Sequence, residues 1–139
     1  MSVLPPGYDF LVYADGSCKG NPGPGGWGVV IVQPDGSMSR HHGSDPATTN
    51  NKMEITAAIE GLRRTDPGSC VLLRSDSQYV INTMTLNWKR RKNHDLWALL
   101  DRETALRKVT FEWVRGHNSD PLNELADELA NRGSRGALE

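Results

Sequence analysis

The sequence has few cysteines, almost no net charge and no long apolar run. Only two of its 139 residues are cysteines, and Cys18 and Cys70 form neither a CxxC pair nor another spacing typical of metal sites. Two isolated thiols are typical of a reducing cytoplasm, although the sequence leaves open whether they pair. The formal net charge of −1 excludes a polycation. Any contact with nucleic acid therefore needs a local basic patch or a bound metal.

No segment has the pattern of a targeting signal or a membrane span. The first six residues lack the basic region and apolar run of a signal peptide, and no apolar stretch is long enough to cross a bilayer. We therefore expect a cytoplasmic monomer without a membrane partner. The chain contains no repeat or dividing linker, and its length suits one core, so residues 1–139 are expected to form a single domain.

Hydrophobic periodicity predicts an α/β protein. Strands are predicted over Tyr8–Ala14, Trp27–Val32, Ser37–Gly43, Cys70–Leu73 and Val109–Val114, with a glycine-rich loop over Gly20–Gly26. Helices are predicted over Lys52–Arg64, Ser77–Thr85, Asp95–Lys108 and from Pro121 to Gly133, the third with Leu96, Leu99 and Leu100 on one side. The order βββαβααβα predicts a five-stranded mixed sheet, three antiparallel strands followed by αβ units, with helices on both faces.

Four carboxylates lie at or near element ends. Each has an ordinary explanation by itself: Asp15 as a turn residue, Glu54 as a capping-box partner of Asn51, Asp76 as a helix N-cap and Asp127 as a solvated edge charge. If the four lie close together, they repel one another unless hard cations sit between them. Carboxylate oxygens suit Mg²⁺ or Mn²⁺, and two such ions about 4 Å apart clamp the reacting oxygens of a phosphodiester.

The motifs around these carboxylates resemble the type 1 ribonuclease H family. They are YADGSCKGNPGPGGWG at 13–28, TNNKME at 49–54, SDSQYV at 75–80, WVRGH at 113–117 and NELADELA at 123–130. They follow the family's order and span about residues 8 to 133. The resemblance implies a two-metal endonuclease that hydrolyses the RNA strand of RNA–DNA hybrids and leaves 5′-phosphate and 3′-hydroxyl ends. The implied cofactor is Mg²⁺, two ions in the substrate complex, with Mn²⁺ as a substitute.

The resemblance also assigns roles to individual residues. Asp15 and Asp127 would hold the ion that activates water, and Asp15, Glu54 and Asp76 would surround the ion at the leaving oxygen. His117 would be the mobile histidine that handles a proton or eases product release, with an ordinary loop histidine as the alternative. The expected substrate contacts are Asn21, Asn50 and Gln78 in the minor groove, Thr49 and Asn93 at a phosphate of the DNA strand, and Trp88 in the DNA-strand channel.

One segment departs from the family pattern. Many members carry an extra helix and a basic loop that the stretch Val80–Asp95 is too short to contain. Only Lys89–Lys92 remains, which is either a solvated loop or a hybrid contact.

Three other functions stay open from the sequence. They are a non-catalytic hybrid-binding module, the ribonuclease H domain of a reverse transcriptase and, less favoured because of the hybrid-type asparagines, a DNA transposase. The presence of all four carboxylates favours an enzyme, and Met1 and Glu139 favour a free-standing protein.

Overall fold

The structure is a computed structural model that describes residues 4–116 and 120–136. Over these residues the elements are β1 (Phe10–Cys18), β2 (Gly23–Val32), β3 (Met38–Thr48), α1 (Asn50–Arg63), β4 (Cys70–Ser75), α2 (Gln78–Thr85), α3 (His94–Ala105), β5 (Lys108–Trp113) and α4 (Pro121–Gly136). The strands form one sheet in the order β3-β2-β1-β4-β5. Pairs β1–β2 and β2–β3 are antiparallel, and pairs β1–β4 and β4–β5 are parallel. The predicted fold class is confirmed.

The two faces of the sheet are covered by different helices. Side chains alternate along β1, so Val12 joins a core with α1, α2 and α3, whereas Leu11 and Tyr13 join a core with α4. All three are at most 2% exposed. Burial on both sides explains why β1 reads as a nearly continuous apolar run.

The predicted loop over Gly20–Gly26 is too long: residues 20–22 connect β1 to β2, but β2 already begins at Gly23. Gly26 and Gly28 lie in this strand where α4 crosses it. A Cβ on Gly28 would lie 2.5 Å from the carbonyl oxygen of Ala126, and one on Gly26 would lie 2.6 Å from that of Ala130. These glycines therefore permit backbone-to-backbone packing of a helix on a strand.

Several predicted boundaries are also wrong. Strand β1 continues to Cys18, so Asp15 lies inside it, opposite Gly28, and not beyond its end. Gly133 does not end α4, which continues to Gly136. This glycine instead allows the helix to pack closely against Gly43 of β3. In both cases long-range pairing or packing overrides the local signal of glycine.

Helix α3 packs two of the three predicted leucines, Leu96 and Leu100, against the core, and the prediction is wrong only for Leu99. Trp97 and Leu100 are at most 1% exposed, whereas Leu99 is 36% exposed. The Arg90 guanidinium lies over the Trp97 ring, 5.2 Å from its centroid, and covers its outer side. Both cysteines are free thiols. Among the described residues, no helix is long and apolar enough to span a membrane.

Candidate active site

Three carboxylates from separate parts of the chain converge at one end of the sheet. Oxygen atoms of Asp15, Glu54 and Asp76 lie within 4.8 Å of one another. Asp15 and Asp76 meet because β1 and β4 are parallel neighbours that run toward the same edge. Glu54 reaches them because α1 packs against Gly16 at Met53 and Glu54, where any Cβ would collide with the Glu54 backbone.

Asp127 brings a fourth carboxylate to this group from the opposite face of the sheet. It is half-buried on α4, the helix that crosses Gly26 and Gly28. It lies near enough to Asp15 to raise the pKa of the Asp15 carboxyl group. The close helix–strand contact thus determines how near Asp127 can come to β1.

The electrostatics of the site favour a bound cation. Burial, followed by the charge of Asp76 and the hydrogen bond with Asp127, raises the pKa of Asp15 far above its ordinary value. Burial and the charge of Asp76 raise the pKa of Glu54 to about 7, against the opposite effect of a hydrogen bond with Ser77. A set of carboxylate oxygens held this close fits a hard divalent cation, which would replace the protons and remove the repulsion.

The ordinary explanations for two of these carboxylates are wrong. The N-cap of α1 is Thr49, whose Oγ1 accepts a hydrogen bond from the amide of Lys52 at 3.2 Å, so Asn51 and Glu54 form no capping box. The N-cap of α2 is Ser77, whose Oγ accepts from the amide of Val80 at 3.1 Å. Glu54 and Asp76 are thus left with their carboxylates directed to the cluster.

A polar depression of about 530 Å³ adjoins the carboxylates. It is lined by Asn50, Asn51, Glu54, Asp76, Ser77, Gln78, Tyr79 and Trp113. Two of the predicted minor-groove residues, Asn50 and Gln78, therefore lie beside the cluster. Asn21 supports this wall, because its Oδ1 accepts a hydrogen bond of 2.9 Å from the amide of Asn50.

A second depression of about 460 Å³ brings Thr49 and Asn93 together. Asn21, Asn51, Lys52 and Lys92 complete its lining. Asn93 has a φ of 60°, a left-handed conformation that asparagine tolerates better than most residues, and its Nδ2 donates to the Tyr79 hydroxyl at 3.2 Å. Amides, a hydroxyl and two lysines suit a phosphate group.

The sequence and the fold both match proteins of one family. The RNase H family profile matches residues 8–135. The chain belongs to the RNase H family. It is 49% identical to a Ribonuclease H of Bordetella avium over 96% of this chain and 95% of that protein, and 51% identical to one of Marinobacter nauticus over 90% and 93%. Among solved structures, the N-terminal RNase H domain of a Mycobacterium tuberculosis protein superposes with a TM-score of 0.82 at 26% identity, covering 94% of this chain and 96% of that chain. LC11-RNase H1, solved in complex with an RNA/DNA hybrid, superposes with a TM-score of 0.77 at 27% identity, covering 94% of this chain and 99% of that chain.

Trp88, His117 and the basic run Lys89–Lys92 are the remaining residues from the sequence reasoning. Trp88 is 46% exposed and is not among the residues lining the two depressions. In the basic run Lys89–Lys92, Arg90 forms a salt bridge with Asp101, whereas Lys92 lines the second depression. His117 lies outside the described residues.

Two residues beside the RNase H carboxylates escaped the sequence reasoning. Trp113 ends β5, is 40% exposed, and its Nε1 donates to the Asp76 carbonyl oxygen at 3.2 Å. Asn123 lies in the first turn of α4, and its Nδ2 donates to Oδ2 of Asp76 at 3.4 Å. A signal for Trp113 was its place at the carboxyl end of a strand parallel to β4. Asn123 is the first residue of the motif NELADELA at 123–130, to which the sequence reasoning assigned no role other than that of Asp127.

Proposed function

We propose that the protein is a Mg²⁺-dependent endonuclease that cuts the RNA strand of RNA–DNA hybrids and leaves 5′-phosphate and 3′-hydroxyl ends. As a member of the RNase H family it is a ribonuclease. The observation that carries the proposal is the convergence of Asp15, Glu54, Asp76 and Asp127 beside a polar surface. Bound divalent ions supply water activation and charge stabilisation at phosphorus.

The four carboxylates would hold these ions, with Asp15 as the central ligand. Asp15 is 4% exposed and adjoins the other three carboxylates, so it can reach both sides of the cluster. Glu54 and Asp76 would complete one side and Asp127 the other. His117 would assist by handling a proton or easing product release. Mn²⁺, which accepts the same oxygen ligands, should substitute for Mg²⁺.

The two depressions would bind different parts of the hybrid. Asn50 and Gln78 would hydrogen-bond to the minor groove, where 2′-hydroxyl groups identify RNA, and Asn21 would assist from the adjoining loop. Thr49 and Asn93 would bind a phosphate of the DNA strand. LC11-RNase H1, solved with an RNA/DNA hybrid, supports this class of ligand. Trp88 would contact the DNA strand outside the depressions. We further propose that the protein is a single-domain cytoplasmic monomer.

A cleavage assay on three duplexes tests the function. Labelled RNA–DNA hybrid, double-stranded RNA and double-stranded DNA are incubated with and without Mg²⁺. We expect cutting only of the RNA in the hybrid, only with the metal, and a 5′-phosphate on the products. Products ending in 2′,3′-cyclic phosphate would contradict the mechanism, because the 2′-hydroxyl would then be the nucleophile. Tight hybrid binding without cleavage would identify a binding module.

A further inference from the structure

The carboxylate of Asp76 accepts a hydrogen bond from a side-chain amide. The Nδ2 of Asn123 donates to Oδ2 of Asp76, and the amide is almost completely buried, at 2% exposure. The same oxygen lies against Gly116, where a Cβ would be only 2.9 Å away. The backbone of Asp76 is held separately, by Trp113 at its carbonyl oxygen. The carboxylate is therefore restrained independently of the main chain.

The first turn of α4, which carries Asn123, is fixed by contacts to three strands. Oδ1 of Asp120 accepts hydrogen bonds from the amides of Leu122 and Asn123, at 3.2 and 3.4 Å. Its Oδ2 accepts from the Tyr13 hydroxyl of β1 at 2.7 Å. Arg74 of β4 donates to the same hydroxyl at 3.0 Å and is itself paired with Glu112 of β5. The start of α4 is thus connected to β1, β4 and β5.

Asn123 also carries a buried side-chain oxygen that does not stabilise the fold. Its Oδ1 accepts no hydrogen bond from the described part of the chain. An unsatisfied buried acceptor destabilises the folded state, and an apolar side chain of the same size would avoid this penalty. A residue kept for packing alone would therefore be better replaced by leucine.

From these contacts we propose that Asn123 is a positioning residue that holds the Asp76 carboxylate in its metal-binding orientation and connects it to α4, the helix that carries Asp127. The inference rests on the proposed role of Asp76 as a metal ligand. Residues that orient metal ligands affect metal affinity or activity by roughly 10- to 100-fold. Asn123 would thus link a ligand at the end of β4 to the helix that carries another ligand.

The test compares Asn123→Leu and Asn123→Asp with matched changes at Asn131 of the same helix. Asn131 uses its oxygen, which accepts from the Ser17 hydroxyl at 2.7 Å, so Asn131→Asp keeps its hydrogen bond. Asn123→Asp instead loses the donor and adds a charge beside Asp76. Mg²⁺ affinity is measured without substrate by calorimetry, together with the thermal midpoint in EDTA and the Mg²⁺ concentration for half-maximal cleavage.

We expect Asn123→Leu to keep or raise the thermal midpoint in EDTA while weakening Mg²⁺ binding roughly tenfold. The Mg²⁺ concentration for half-maximal cleavage should rise in parallel, and Asn131→Asp should match the wild type in both. Wild-type Mg²⁺ affinity in Asn123→Leu, or an equal loss in Asn131→Leu, overturns the inference. Absence of Mg²⁺ binding to the wild-type protein would overturn the proposed function instead, so the two failures are distinguishable. If Asn123→Leu does not fold, Asn123→Ala, which removes the same donor without adding a charge, carries the same comparison with Asn131→Ala.

Discussion

At the residue scale, Asp15 experiences the least favourable electrostatics of the site. It is buried, and Asp76, Asp127 and Glu54 all oppose its ionisation. Asn has nearly the same shape and no charge, so Asp15→Asn removes the proposed central ligand while leaving the fold intact. We expect no detectable cleavage and, in EDTA at neutral pH, a free energy of unfolding higher by roughly 1–2 kcal/mol.

Cleavage assays and urea unfolding in EDTA check this expectation. Asp66→Asn is the matched control, because Asp66 is exposed in the turn after α1 and loses the same charge. It should keep both activity and stability. Near-normal turnover by Asp15→Asn would show that the site has been assigned to the wrong residues.

The same carboxylates predict how stability depends on pH. The pKa of Glu54 rises from 4.5 to about 7 in the folded protein, and that of Asp15 is also raised. Folding therefore favours the protonated forms. The stabilising contribution of Glu54 is present below about pH 4.5 and is lost as the pH rises through about 7, whereas that of Asp15 persists to higher pH. In EDTA, the thermal midpoint should fall between pH 5 and pH 8, and Mg²⁺ should oppose the fall.

Thermal scans at the two pH values, with and without Mg²⁺, measure this dependence. Asp15→Asn should show a smaller fall in EDTA, because one of the raised carboxyl groups is gone. A midpoint that rises between the two pH values in EDTA would mean that the cluster is not under mutual repulsion.

At the scale of elements, the packing of α4 on β2 determines where Asp127 lies. A Cβ at Gly28 would be 2.5 Å from the Ala126 carbonyl oxygen and 2.6 Å from the Ala130 amide, so the helix must move. We expect Gly28→Ala to lower the free energy of unfolding by roughly 1–3 kcal/mol and to weaken Mg²⁺ binding, since Asp127 moves with the helix.

Denaturation and Mg²⁺ calorimetry test the effect of this contact. Gly136→Ala is the control, because its nearest neighbour is the Ser44 hydroxyl at 3.1 Å, at the end of the same helix. It should leave Mg²⁺ affinity unchanged. Unaltered stability in Gly28→Ala would show that α4 does not need this close approach.

At the scale of the whole molecule, a protein with a net charge of −1 must bind a polyanion through a local surface. The short basic run is divided by the structure. Arg90 pairs with Asp101 and covers Trp97, whereas Lys89, Arg91 and Lys92 are exposed. Replacing these three by Ser should raise KM roughly tenfold and flatten its salt dependence by up to about three units of slope, with little change in kcat.

Steady-state kinetics at two salt concentrations test whether these basic residues contact the hybrid. Arg90→Ser serves as the comparison, because it should lower stability through loss of the Asp101 and Trp97 contacts with a smaller effect on the salt slope. An unchanged KM and slope in the triple variant would mean that the run is a solvated loop, leaving the hybrid to Trp88, the asparagines and the metal site.

The sequence was most informative where local pattern and tertiary contact agree. The apolar run of β1 and the proline at the start of α4 predicted both elements, although β1 extends further than its apolar run. Prediction failed where a distant element decides: Gly26 and Gly133 resemble loop and helix-end residues, because a glycine kept for close packing looks the same in sequence as one kept for a turn. On α3 the prediction failed likewise at single positions: Leu99 is exposed and Trp97 is buried, because neighbouring elements decide which side chains of the helix are covered.

By itself, the sequence determined the order of elements, the motifs of the RNase H family and the identity of the four carboxylates, because these depend on residue type and spacing along the chain. Only the tertiary structure decided that Asp15, Glu54 and Asp76 lie within 4.8 Å of one another and that Asn123 reaches Asp76. The distances depend on the parallel pairing of β1 with β4 and on the close packing of α4 against β2. Both are contacts between distant segments, and no local pattern encodes how near they bring two side chains.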